Sequence, residues 1–299
     1  MQKIIRKTLF ILLLSNTTLL AQFGLSDDYP FNLLAVNPAF AGERGNFGVT
    51  ALLGNQFVGS FTPRQVSQII SLEGKVGTGN SSIGFQGYRN SLGTATNSGL
   101  SLSYAYALNF DLVRLSFGLN GGFGVSPPVI GSTSFANQLI PYAGLGLMAA
   151  IKNGFVSVSA PTLVSKTNLF IPTRKPINVM LGYRLGSSES IALNISALAG
   201  FERNNSLSNF YHINPKIWIS NKVGFGGSIR FKQNDDSNIV PFLQYRVSES
   251  SSVGITYDPN PFSAIPTQPG FSPQSGVIQL VYKYDVFGRG EDTPLLNLF

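Results

Sequence analysis

Apolar residues alternate with small or polar ones, with a period of two, through most of this chain, and nothing else constrains its fold so strongly. Residues 100–110 read Leu-Ser-Leu-Ser-Tyr-Ala-Tyr-Ala-Leu-Asn-Phe. Successive side chains of an extended strand point to opposite faces. Leu100, Leu102, Tyr104, Tyr106, Leu108 and Phe110 therefore share one face, and Ser101, Ser103, Ala105, Ala107 and Asn109 share the other. After a short turn, Val113, Leu115, Phe117, Leu119, Gly121, Phe123 and Val125 repeat the pattern against Arg114, Ser116, Gly118, Asn120, Gly122 and Gly124. Such runs are longer than the usual soluble strand. They match the roughly 9–11 residues that a tilted strand needs to cross a bilayer.

Composition points the same way. Only 12% of residues are charged, against about 25% in an average protein. The 32 Gly, 23 Phe and 11 Tyr supply small and aromatic surface instead. Beyond residue 20 no apolar run approaches the roughly 18 residues of a helical span. A membrane protein of this sequence has to cross with strands, because only helices and closed barrels satisfy every backbone group in lipid. There is chain enough for one barrel, or for one large or two small soluble β domains.

Parity places fourteen strands, near 46–58, 64–73, 81–89, 99–110, 113–124, 141–151, 155–160, 177–185, 190–202, 209–219, 223–232, 239–247, 252–258 and 276–284. The fold class expected is all-β, a transmembrane antiparallel up-and-down barrel of the outer-membrane type. Tight connections at 111–112, 152–154, 186–189, 220–222 and 248–251 alternate with longer ones at 125–140, 161–176, 203–208, 233–238 and 259–275. Short periplasmic turns and long outer loops are the asymmetry of such barrels, and an even strand count puts both termini on the periplasmic side. Links 59–63, 74–80 and 90–98 are similar in length and do not show this phase.

The start of the chain gives an address. Lys3, Arg6 and Lys7 precede an apolar stretch from Thr8 to Leu20 and then Ala21-Gln22, the layout of a signal peptide cut after Ala21. Removal of residues 1–21 takes away three basic residues and no acid, leaving eighteen Lys and Arg against fourteen Asp and Glu, a net +4. That excess, with no basic run interleaved with aromatics, gives no support to nucleic-acid binding. Without cysteine the chain carries no disulfide staple, and barrel closure is the available source of stability. The organisation read from the sequence is a signal peptide at 1–21, a periplasmic segment at 22–45, a barrel at 46–284 and a tail at 285–299.

Inward by parity are Asn178, Gly182, Arg184, Asn194, Ser196, Glu202, Gly224, Gly226, Ser228, Arg230 and Lys232, with Glu73, Arg114 and Lys283. They form either a basic lumen for an anionic solute or an ordinary interior of paired charges and small residues, and the second is the commoner. Fourteen strands leave room for an open channel or a plugged one. Catalysis finds little purchase. The one histidine, His212, is inward and near Ser206 and Ser208, but a serine hydrolase needs its base set beside the nucleophile. No cluster of His and carboxylates has metal-ligand spacing, and Asp235-Asp236 reads as a solvated turn. The Gly-x-Gly pairs at 144/146 and 224/226 are small inward positions, since no helix or lysine motif follows them. No cofactor is expected.

Two segments break the rhythm. One is Tyr29–Asn46, where Pro30 and Pro38 restrict their neighbours and Gly42 and Gly45 permit a turn into the barrel. It suits a cap or plug of the periplasmic mouth, or a docking site for a periplasmic partner. The other is the tail, whose Pro294 does not suit a membrane strand; Ile278, Leu280, Tyr282 and Tyr284 mark the closing strand.

Asn37-Pro38-Ala39-Phe40-Ala41-Gly42, followed by Arg44-Gly45-Asn46, resembles the opening of the PorP/SprF family. These are outer-membrane proteins of the type IX secretion system of gliding and related bacteria. Ile83-Gly-Phe85, Leu102–Tyr106, Leu115–Gly122, Val158–Leu163, Gly182-Tyr-Arg184 and Leu280–Tyr284 continue the resemblance in order, over about residues 29–284. The lead-in Tyr29-Pro-Phe-Asn and the tail after Tyr284 depart from it. The resemblance implies a non-catalytic accessory that helps adhesin-like cargo with a matching C-terminal domain reach and stay on the cell surface. Its partners would be that cargo domain, other type IX components and outer-membrane lipid. Residues Asn37–Gly42 are the candidate docking motif. The loop bearing Pro259, Pro261, Phe262, Pro266, Pro269 and Phe271 is the candidate cargo contact, as its prolines stiffen it at low entropic cost. The long loops at 125–140 and 161–176 are further candidates. A passive porin or hydrophobic-solute transporter is the alternative, and it requires an open lumen.

Overall fold

The computed structural model describes residues 29–44, 47–56, 65–77, 79–92, 95–126, 137–165, 175–186, 190–203, 209–232, 237–259 and 276–286. Fourteen strands form one closed antiparallel barrel in which each pairs with its neighbours in sequence. They are β1 (Phe47–Gln56), β2 (Gln65–Lys75), β3 (Ser81–Leu92), β4 (Ala95–Asn109), β5 (Arg114–Ser126), β6 (Gln138–Ile151), β7 (Gly154–Ser165), β8 (Pro176–Gly186), β9 (Ile191–Glu202), β10 (Phe210–Ile219), β11 (Val223–Lys232), β12 (Asn238–Arg246), β13 (Ser251–Asp258) and β14 (Val277–Asp285). Closure is made by β1 on β14, in register from Gly48↔Asp285 to Gln56↔Val277. No strand among them is left as a sheet edge along its whole length, which is what the hydrocarbon interior demands.

Parity fixes which way the side chains face. On β4, Leu100, Leu102, Tyr104, Tyr106 and Leu108 are exposed to the outside, with Leu102 at 66%, while Ser101, Ser103, Ala105 and Ala107 are buried within. That outer surface is the lipid face. Its aromatics gather at two levels: Phe47, Tyr106, Tyr183, Tyr245 and Tyr284 toward the end with the short turns, and Phe123, Phe201, Tyr211, Phe231 and Tyr257 toward the other end. Such belts mark the two membrane interfaces.

All fourteen expected strands are present, with shifted ends. The link expected over 90–98 is largely taken into the ladder, since Asn90↔Asn97, Ser91↔Thr96 and Leu92↔Ala95 are paired. Polar residues occupy both faces there, so alternation vanishes although the ladder continues. Strand β7 runs on through Pro161 to Ser165, past its expected end at 160, and β6 begins at Gln138. Asp285 belongs to β14, one residue beyond the expected boundary of the tail. The signal peptide, most of the tail, Ser206, Ser208 and Asp235-Asp236 lie outside the described residues.

The lipid face yields a direct test. Leu119 is 62% exposed near the middle of β5. Leu119→Arg is expected to destabilise the barrel by about 2–4 kcal/mol, the cost of a cation at midplane depth. Leu119→Ile should stay within about 1.5 kcal/mol of the original. Urea unfolding in lipid vesicles measures both.

Candidate functional site

The barrel is filled from within by its own N-terminal segment. Tyr29 and Phe31 open it in a turn closed by Asn32 N–H donating to the Tyr29 carbonyl. Two short 3₁₀ turns follow, Leu33–Ala35 and Pro38–Phe40. The second starts as helix chemistry prefers, with an Asn N-cap and Pro at the first position. Asn37 Oδ1 accepts from Ala39 N–H at 2.9 Å, while its Nδ2 donates to the Leu147 carbonyl on β6 at 3.1 Å. One side chain thus caps the turn and ties it to the wall. Gly42 then reverses the chain at φ +75°, where a Cβ would also overlap Ser82 Oγ. Only glycine suits both demands.

Opposite walls of the lumen hold the plug. Tyr29, Val36, Ala39 and Phe40 pack on Met148, Ala150, Phe155, Met180, Leu198 and Phe210 of β6–β10. Phe31 reaches the other side, among Leu52, Ile69, Phe242 and Val281. Phe40 meets Phe155, and Phe31 meets Phe242, edge to face at 5.3 Å. Burying a large apolar side chain stabilises by about 1.5–3 kcal/mol, so four anchors of this size fix the segment firmly. Glycines on the inner wall make the space. A Cβ at Gly118 would overlap the Ala39 backbone, one at Gly146 would overlap the Asn37 amide, and one at Gly84 would lie 2.8 Å from Leu34 Cδ2.

Polar anchors fix the register. Ser116 Oγ donates to the Ala39 carbonyl and Ser159 Oγ to the Val36 carbonyl, each at 2.8 Å. Asn32 Nδ2 donates to Ser71 Oγ at 2.8 Å, and Asn214 Nδ2 donates to Tyr29 Oη. At the short-turn mouth Gly42 N–H donates to Glu73 Oε2 at 3.2 Å. Glu43 pairs there with Arg114 Nε at 2.8 Å. Arg44 pairs with Asp285 at 2.8 Å and donates to Thr50 Oγ1, so a single guanidinium joins the plug to the first and last strands. Burial pushes the Glu43 carboxyl above its ordinary range, and Arg114 opposes that shift. A buried pair of this kind sets register more than it adds stability. Burial also raises the Tyr29 phenol, which stays protonated.

The motif Asn37–Gly42 is wholly inside: Asn37 and Ala39 are 0% exposed. It is turned to the wall and offers no face to an external partner in this conformation. The space left beside Pro30, Phe31, Asn194, Ser196, Asn214, Lys216 and Phe242 is about 10 Å³, room for about one water. His212 is inward, as its parity implies, between Tyr29 at 6.0 Å and Phe210 at 5.3 Å. Ser206 and Ser208 are outside the described residues. Of the candidate cargo loop, Pro259 is an exposed bend after β13; Pro261, Phe262, Pro266, Pro269 and Phe271 are likewise not described. Sequence reasoning did not single out Arg44–Asp285 or Tyr29–Asn214 as contacts. These pairs lie 241 and 185 residues apart, and nothing local marks them.

The model of the family described as "Type IX secretion system membrane protein PorP/SprF" matches residues 21–265. No curated relative matches the chain. Among solved structures, the outer membrane protein Omp33 of Acinetobacter baumannii is 12% identical, covering 81% of this chain and 99% of its own, at a TM-score of 0.49. The CymD monoaromatic hydrocarbon channel is 10% identical over 87% of this chain and 92% of its own, at 0.46. Outer membrane phospholipase A from Escherichia coli is 14% identical over 79% and 92%, at 0.42. These three likenesses carry nothing about function.

The inner glycines make the plug testable. Because the chain has no cysteine, Val36→Cys gives a single thiol at a position 1% exposed. In an otherwise unchanged barrel it is expected to resist maleimide. Adding Gly118→Val overpacks the contact with Ala39 at about 1–3 kcal/mol, which raises the open population by roughly five- to a hundredfold. Labelling should quicken to match. Equal labelling in the two backgrounds would mean that Gly118 does not seat the plug.

Proposed function

The chain belongs to the PorP/SprF family of type IX secretion system membrane proteins, and from that premise we propose that it is a non-catalytic outer-membrane accessory to secretion. It helps adhesin-like proteins bearing the type IX C-terminal domain to leave the cell or to stay on its surface. The observation that supports this reading over a passive pore is the occupied lumen. A porin needs a continuous aqueous path, whereas residues 29–44 bridge the inner wall from β1, β2, β12 and β14 to β6–β10.

A plugged barrel acts through its ends. The short turns and both ends of the described barrel lie on one side, which barrel asymmetry assigns to the periplasm. The long connections then face outward, and loops on a rigid scaffold are where recognition resides. The long connections after Ser126, Ser165 and Asp258 are the surfaces offered to cargo, with Pro259, Pro261, Phe262, Pro266, Pro269 and Phe271 on the last. The plug is the fixed floor beneath them.

Two measurements test the assignment. Clean deletion of the gene, followed by quantitative proteomics of cell surface and medium, is expected to misplace a small set of large proteins sharing a C-terminal domain. An unchanged set rejects the accessory role. The purified barrel is expected to be silent in a planar bilayer, and steady ohmic conductance from the intact chain would favour the porin.

A further inference from the structure

The lipid face of the wall carries a single charge. Every other Asp, Glu, Lys and Arg of the fourteen strands has inward parity, and Arg89 on β3 alone points to the outside, where it is exposed. Its neighbours on that face are polar as well. Gln68 of β2 and Ser98 of β4 are its direct cross-strand partners, so one ladder row reads Gln68–Arg89–Ser98. The row above it reads Asn55–Val66–Ser91–Thr96. Arg89 lies three residues short of the end of β3, as Phe123 lies three short of the end of β5. The polar row therefore takes the place of the upper aromatic belt over β2–β4. A cation on the lipid face costs about 0–1 kcal/mol near the interface, against about 2–4 kcal/mol at midplane.

The chain around Arg89 holds almost no acid. From Phe47 to Phe110 the sequence contains one carboxylate, Glu73, which is buried within and accepts from Gly42 N–H. The connections at the long-loop end are basic by sequence, with Arg64, Lys166, Arg174, Lys175 and Arg203 against Asp235 and Asp236. Beneath the polar row the wall turns apolar. Leu100, Ile70 and Phe85 converge on Gly87, two residues below Arg89, where a Cβ would lie 3.2, 3.5 and 3.8 Å from them. Leu53 and Leu102, 54% and 66% exposed, extend this surface to either side.

We propose that the row Gln68–Arg89–Ser98 binds the anionic phosphate of an outer-leaflet lipid, whose acyl chains lie against Ile70, Phe85, Leu100 and Leu102. The inference rests on the outer-membrane placement with the long connections outward, and not on what the barrel does in secretion. A guanidinium presents paired N–H donors that match phosphate oxygens, and its bonds to an anion are of the stronger kind. The Gln68 amide and the Ser98 hydroxyl add donors on either side of it. Basic side chains at a membrane interface are the ordinary means of holding such a headgroup. A polar row set directly over apolar residues repeats the order of a lipid, headgroup above chains. An acidic protein segment would match the row and leave Ile70 and Leu100 without a counterpart.

The experiment takes the full barrel in maltoside micelles, which carry no phosphate, and adds phosphorylated lipid A or the same lipid stripped of its phosphate. Native mass spectrometry counts the lipid retained. The intact chain is expected to keep one phosphorylated lipid at least tenfold better than the stripped one. Arg89→Gln should lose that preference, and Arg89→Lys, which keeps the charge without the fork, should keep part of it. Lys222→Gln removes the same charge from an exposed short turn at the other end and should change nothing. Equal retention by Arg89→Gln and the original chain would overturn the inference, as would equal retention of the two lipids. A second reading comes from cells, with a photo-crosslinking phenylalanine in place of Leu102. Its adducts with phosphorylated lipid are expected to fall in the Arg89→Gln background, and a protein adduct in their place would reject the lipid site. Should deletion of the gene leave secretion unchanged, the accessory role fails while the lipid site still stands or falls on these counts.

Discussion

Every backbone N–H and C=O that faces hydrocarbon must find a partner inside the protein, and the architecture follows from that requirement. Fourteen strands of alternating sequence can meet it only by closing, and β1 on β14 closes them. Closure turns the apolar face of each strand toward lipid and leaves an interior too wide for the wall's own serines, alanines and glycines to fill. The chain fills it with residues 29–44. Arg44 shows how tightly the two solutions are joined, because its guanidinium binds Asp285 on the last strand and Thr50 on the first. Those two residues come together only when the barrel has closed, so the plug's last anchor exists only in the finished wall.

The interior also departs from what a water-filled barrel needs. A channel lining is polar on all sides, whereas here Leu52, Ile69, Met148, Met180, Leu198, Phe242 and Val281 point inward and are buried. Each would be unfavourable against water and is favourable against the plug. The inward apolar wall and the apolar plug are therefore one packing unit. Glycines at 118 and 146 belong to the same unit, since any side chain there would meet the backbone or amide of the plug.

How much of this could be read in the sequence depends on the range of the interaction concerned. Alternation is local, so Leu100–Phe110 and Ile278–Tyr284 declared themselves as strands and even declared which face meets lipid. Where both faces turn polar, as at Asn90–Asn97, the local signal disappears while the pairing persists. The break in the rhythm at Tyr29–Asn46 was legible, and its prolines and Gly42 suited first a cap or plug of the periplasmic mouth and, as the sharper alternative, a docking site. What puts the segment inside the lumen is contact with Ser116, Ser159 and Asn214, residues 77 to 185 positions away along the chain. Packing at that range leaves no periodicity to find. Gly144 and Gly146 were visible as small inward positions, but not that Gly146 makes room for Asn37 while Gly144 makes room for the Pro161 bulge.

The two ends of the barrel are finished differently. The short-turn mouth is anchored by Glu43–Arg114 and Arg44–Asp285, so the N-terminal segment is committed there to holding the barrel shut. At the opposite end Pro161 and Pro176 have no N–H to give, and Arg203 and Lys175 donate to the carbonyls of Leu163 and Ser165. From inside, Asn120 and Gly144 accommodate the Pro161 bulge of β7.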